Sequence, residues 1–133
     1  VTGHVEMMRR LEGAPGATEL LQRYIASNLA YIAEHRSETR AIGDIVANFR
    51  GADGLPVYQI DDAEPLIQGT AAIFDWGRQA GEFRQLDSRI VAVILRSAID
   101  AFGQQVSANP ELDIEKYTRE MTDFFVQAAR KTT

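Results

Sequence analysis

The chain has 133 residues, 45% hydrophobic and 25% charged, the size and mixture of one ordinary globular domain able to bury a core. Its net charge of −5 opposes binding to duplex nucleic acid, where clustered Lys and Arg neutralise phosphates. No apolar run approaches the roughly 18–20 uncharged residues of a membrane span, and the absence of cysteine excludes a disulfide framework and thiolate chemistry.

Val1, Val5, Met8 and Leu11 repeat at helical spacing until Gly13-Ala14-Pro15-Gly16 stops the helix. A helix already running at Val1 predicts the tail of a longer one, and Val1-Thr2-Gly3-His4 lacks the basic and apolar segments of a signal peptide. A second helix is predicted over Ala17–His35, with Leu21, Tyr24, Ile25, Asn28, Leu29, Tyr31 and Ile32 on one broad face. Ser37 is placed to cap a third, in which Ile42, Ile45, Val46 and Phe49 follow the i, i+3, i+4, i+7 template. Gly51-Ala52-Asp53-Gly54-Leu55-Pro56 reads as a loop.

Asp61 and Asp62 are candidate caps for a fourth helix, with Glu64 at capping-box spacing from Asp61 and Pro65 in the first turn. This helix runs to about Ala80 and stops at Gly81. A fifth spans Asp87 to about Ser107 and a sixth Asp113 to about Lys131. No alternating β-branched run argues for a sheet; the nearest, Leu55–Ile60, contains a proline. The expected fold is all-α: a single domain over residues 1–133, an antiparallel bundle of about five helices plus the tail of a connecting helix.

The link between the fourth and fifth helices has a clear physical reading. Gly81 can take the left-handed conformation that ends a helix. Asp87 can cap the next one, and Leu86 is spaced to staple onto Val91. Leu112, Asp113 and Tyr117 repeat that spacing before the last helix. Gly81-Glu82-Phe83-Arg84, the helix containing Ala98-Ile99-Asp100-Ala101-Phe102, the Tyr31–His35 helix end and Asn109-Pro110 together resemble the C-terminal domain of TetR-family bacterial transcriptional regulators. The resemblance runs helix by helix along the whole chain. It implies a cytoplasmic repressor's effector-sensing and dimerising domain, without the family's N-terminal helix-turn-helix. Val1–Leu11 would be the end of the connector to that head. On this reading the chain binds no nucleic acid alone, operator DNA being met through the missing domain, and a small-molecule effector shifts the connector to release the parent protein.

Sensors of this kind bind small, mostly apolar molecules between helices, with a few polar groups fixing orientation. The candidate ligand residues are Tyr24, Asn28 and Tyr31 on the second helix, and Thr70, Phe74 and Gly77 with nearby Trp76 on the fourth. Met7 and Met8 on the connector supply an adaptable wall, and Phe49 closes an end. A continuous cavity is expected between the second, third and fourth helices. The same aromatic and Met residues at helical spacing also suit plain core packing, and Asn28 a backbone carbonyl.

The last two helices carry apolar residues around more of their circumference than the roughly 100° stripe a surface helix needs. This surplus predicts a homodimer through a two-fold four-helix interface. Its candidate residues are Ile94, Ala98, Ala101, Phe102, Tyr117, Met121, Phe124, Phe125 and Ala128.

Nothing argues for an enzyme, a metal site or a cofactor. His4 and His35 lack ligand spacing, and no nucleophile elbow or phosphate loop is present. Arg96 and Asp100, four apart, read as an ion pair on a solvated helix face. The alternative function is a free-standing helical interaction module or small-molecule carrier.

Overall fold

Asp87 and Asp113 each stand just before an apolar-periodic run. Each carboxylate accepts a hydrogen bond from the backbone N–H three residues on, Ile90 at 3.0 Å and Lys116 at 3.1 Å. Such N–H groups have no partner within their own helix, so an aspartate at this position marks a helix start. The computed structural model describes residues 13–35 and 63–132. Among the described residues the chain forms four helices: α1 (Ala17–Glu34), α2 (Glu64–Gln79), α3 (Ser88–Ala108) and α4 (Ile114–Ala129). They match the second, fourth, fifth and sixth predicted helices to within two residues at each end, apart from the start of the fourth. No strand occurs among these residues, only an isolated antiparallel bridge between Phe83 and Arg130. None of the described helices is long and apolar enough to cross a membrane. The predicted first and third helices, the 51–56 loop and the caps Asp61 and Asp62 lie outside the described residues.

The described part of α2 begins at Ala63 and Glu64, with the partner of the expected capping box, Asp61, outside the described residues. Ala63 is its N-cap and makes no side-chain bond, with Pro65 in the first turn as expected. Glu64 takes the Arg89 guanidinium on both oxygens, at 2.6 and 2.8 Å. The hydrogen bond from Arg89 holds the Glu64 carboxyl below its usual range. Packing of α3 beside α2 supplies this partner.

The core is organised around α1, which packs against all three other helices. Leu21, Ile25 and Leu29 on α1 are fully buried, as are Phe74 on α2 and Leu95, Phe102 and Val106 on α3. Met121, Phe125 and Ala129 close the core from α4. Each large side chain removed from water contributes about 2 kcal/mol. The expected staple residues Leu86, Val91, Leu112 and Tyr117 are all partly buried against this cluster.

One buried group on α4 works against the packing. Among the described residues the Thr122 hydroxyl is shut away from solvent with no hydrogen-bond partner. Thr122→Val keeps the shape and removes the unmet group, so the variant is expected to be about 1 kcal/mol more stable than the parent. Urea denaturation of both proteins checks this; a less stable variant would show that the hydroxyl is in fact satisfied.

Gly81-Glu82-Phe83-Arg84 joins three helix ends. Gly81 has φ +79°, the left-handed conformation expected after α2. Gly16, the N-cap of α1, has no side chain to offer its helix. The Glu82 carboxylate supplies that cap from across the molecule, accepting from the Ala17 N–H at 2.8 Å and the Thr18 N–H at 3.1 Å. Phe83 is buried, with its ring 5.8 Å from that of Phe74. Arg84 donates from its backbone N–H to the Ala129 carbonyl at 2.8 Å and from Nε to the Ala128 carbonyl at 2.7 Å. An acid thus meets the positive end of α1, and a base meets the negative end of α4.

Candidate functional site

Three helices each bring a polar residue from their packed sides to one point. Tyr24 and Asn28 lie on the buried stripe of α1, and Thr70 lies on that of α2. Arg96 borders the α3 stripe formed by Ala92, Leu95, Ile99 and Phe102. The Tyr24 hydroxyl and the Thr70 hydroxyl are 2.6 Å apart, and Thr70 donates to the Leu66 carbonyl at 2.8 Å. A threonine has one hydroxyl proton, so with Leu66 taking it, Tyr24 is the donor to Thr70. The Tyr24 oxygen is then free to accept, and Arg96 donates to it from Nη1 at 3.0 Å. The hydrogen bonds therefore run in one direction, from Arg96 through Tyr24 and Thr70 to the Leu66 carbonyl, each polarising the next.

Asn28 braces this chain from the side. Its Nδ2 donates to the Tyr24 carbonyl at 2.8 Å, while its Oδ1 accepts from Arg96 Nη1 at 3.1 Å. Both bonds are made only with the amide in this orientation. Thr70 is completely buried, and Tyr24 and Asn28 nearly so. Satisfied buried groups of this kind fix the relative placement of the helices that carry them.

Arg96 departs from its expected role. The i, i+4 spacing predicts an ion pair with Asp100 on a solvated face; instead the guanidinium turns inward to Tyr24 and Asn28. Among the described residues it forms no ion pair. Two buried acceptors on α1 outweigh an exposed pair worth only a few tenths of a kcal/mol. Arg96 also lies in the wall of a partly open cleft of about 320 Å³ between α2 and α3. Leu66, Ile67 and Val93 form its apolar side, and Ser97 and Asp100 accompany Arg96 on the polar side.

The structure brings Tyr24, Asn28 and Thr70 together and places the other candidate ligand residues elsewhere. Phe74 and Gly77 are buried further along α2, Phe74 against the ring of Phe83 and Gly77 beneath it. Tyr31 is half-buried at the far end of α1, stacked on His35 at 4.2 Å, and Trp76 is 39% exposed. Met7, Met8 and Phe49 lie outside the described residues, as does the third helix of the expected cavity. Among the described residues no group of His, Asp and Glu side chains is placed to hold a metal ion.

The candidate dimer residues fall into two sets. Phe102, Met121 and Phe125 are buried in the chain's own core, with Tyr117 half-buried 4.9 Å from the Phe102 ring and Ala98 packed at the core's edge. Ile94 is 53% exposed and Phe124 69% exposed, and Ala101 and Ala128 also face outward. Part of the apolar surplus on these helices is therefore used internally, and the remainder is presented to solvent.

Arg96 and Glu82 are the residues that sequence reasoning missed. A faint signal existed for Arg96: a base bordering an apolar stripe, four residues from Ala92 and three from Ile99. Comparison of the chain with protein-family models, with curated proteins and with solved structures finds no match.

Proposed function

We propose that this chain is the effector-sensing and dimerising domain of a TetR-type transcriptional repressor. The observation that carries the reading is the buried hydrogen-bonded set of Arg96, Tyr24, Asn28 and Thr70 beside an apolar cleft. It ties three helices to one wall of a space where a small molecule can sit. A ligand that moves Arg96 also loosens its bonds to α1, the helix on which the rest of the core packs. The resemblance in Gly81-Glu82-Phe83-Arg84 and the flanking helices supplies the regulatory context.

Dimerisation is supported by the outward Ile94 and Phe124, with the small residues Ala101 and Ala128 on the same two helices. Removing such side chains from water favours association, and small residues permit close helix approach.

Native mass spectrometry of freshly purified chain tests both parts together. The expected result is a dimer with a co-purifying small organic molecule, and a matching dimer mass in light scattering at micromolar concentration. A ligand-free stable monomer would overturn the proposal. Gene context separates a regulator from a free-standing carrier: helix-turn-helix coding sequence in frame upstream supports the regulator.

A further inference from the structure

A guanidinium carries five N–H donors. In Arg96 the two on Nη1 are taken by Tyr24 and Asn28, while Nη2 and Nε make no hydrogen bond among the described residues. This half-buried side chain lines the cleft between α2 and α3. This partly desolvated cation forms no ion pair among the described residues, and a guanidinium's planar fork matches a carboxylate two bonds at a time. Next to it the cleft wall is apolar, with Leu66 47% exposed, Val93 partly exposed and Ile67 buried. Asp100 on the polar side sets a limit on charge. It repels any anion, and a doubly charged phosphate monoester twice as strongly as a singly charged acid.

From these features we infer that the cleft binds an organic monocarboxylate, its head on Arg96 and its apolar tail along Leu66, Ile67 and Val93. The inference rests on the sensor proposal and names the chemical class of the effector. The cleft, about 320 Å³, suits a short tail, at the small end of ligand pockets.

Isothermal titration calorimetry of the full chain with octanoate, 1-octanol and octyl phosphate tests it. Octanoate is expected to bind about ten-fold more tightly than either of the others. Arg96→Gln is expected to lower octanoate affinity about ten-fold and octanol affinity by much less. That variant also breaks the bonds to Tyr24 and Asn28, so a second one is needed in case it does not fold. Ser97→Asp places a negative charge on the polar side of the cleft, at an exposed position outside the hydrogen-bonded set and away from the apolar tail wall. It is expected to weaken octanoate and spare octanol. Equal binding of octanoate and octanol, tighter binding of octyl phosphate, indifference of octanoate to Ser97→Asp, or no binding of any probe would each overturn the inference. A co-purified effector lacking a carboxylate would overturn it while leaving the sensor proposal standing; a ligand-free monomer would remove the proposal itself.

Discussion

Gly77→Ala is expected to destabilise the protein by about 3 kcal/mol, the upper end of the cost of overpacking a tight core. In an isolated helix the same change stabilises by about 1 kcal/mol, because alanine is the better helix former. Here a Cβ on Gly77 would overlap Cγ, Cδ2 and Cε2 of the Phe83 ring. That ring has little room to withdraw: it is buried beside Phe74, and its own backbone N–H donates to the Gly77 carbonyl at 3.0 Å. The steric term is therefore larger than the propensity gain, and the sign reverses. Urea denaturation measures it, and Gly77→Ala combined with Phe83→Leu should recover part of the loss, since the two side chains compete for one space. A single variant as stable as the parent would show that the loop after α2 yields easily.

Glu82→Ala is expected to cost about 2 kcal/mol, the upper range for losing a helix cap, since one carboxylate serves two N–H groups of α1. The loss should depend on pH in a defined direction. The hydrogen bond from the Ala17 N–H holds the Glu82 carboxyl below its ordinary value of 4.5, the bonds from Thr18 act the same way, and burial opposes them. A lowered folded-state value means the contribution is fully present above the unfolded value and is lost as pH falls through the folded one. Melting temperatures of parent and variant should therefore differ most near neutral pH. They should converge only as pH falls below the folded-state value, which itself lies under 4.5. Glu64 and Asp75 are also held low, Asp75 mainly by a hydrogen bond with Ser88. They lie outside the Glu82 cap, so the parent–variant difference isolates Glu82. A gap that stays constant into acid would mean that Glu82 acts through packing and not through its charge.

Both effects arise at Gly81-Glu82-Phe83-Arg84, the segment that carries the family resemblance. In this structure its residues end α2, cap α1, fill the core beside Phe74 and bind the last carbonyls of α4. The motif is thus a structural clasp, with the cleft formed elsewhere, between α2 and α3. It holds the N-terminus of α1 in place, and with it the helix carrying Tyr24 and Asn28.

What the sequence determined by itself is local. The all-helical class, the ends of α1, α3 and α4, the stop at Gly81 and the caps Asp87 and Asp113 were all legible. Helix periodicity and capping act between residues three or four apart, and that pattern is written directly in the chain. Candidate polar residues were legible in part, because Tyr24, Asn28 and Thr70 interrupt apolar stripes. Tertiary structure alone decided which of them meet. Arg96 reaches Tyr24 across 72 positions, and Glu82 reaches Ala17 across 65. Locally, Arg96 has an equally good partner in Asp100, and Glu82 is an unremarkable turn residue. Only packing of α3 and the clasp against α1 brings buried acceptors and unmet N–H groups within reach of these two side chains. There, a satisfied hydrogen bond in the interior outweighs an exposed ion pair.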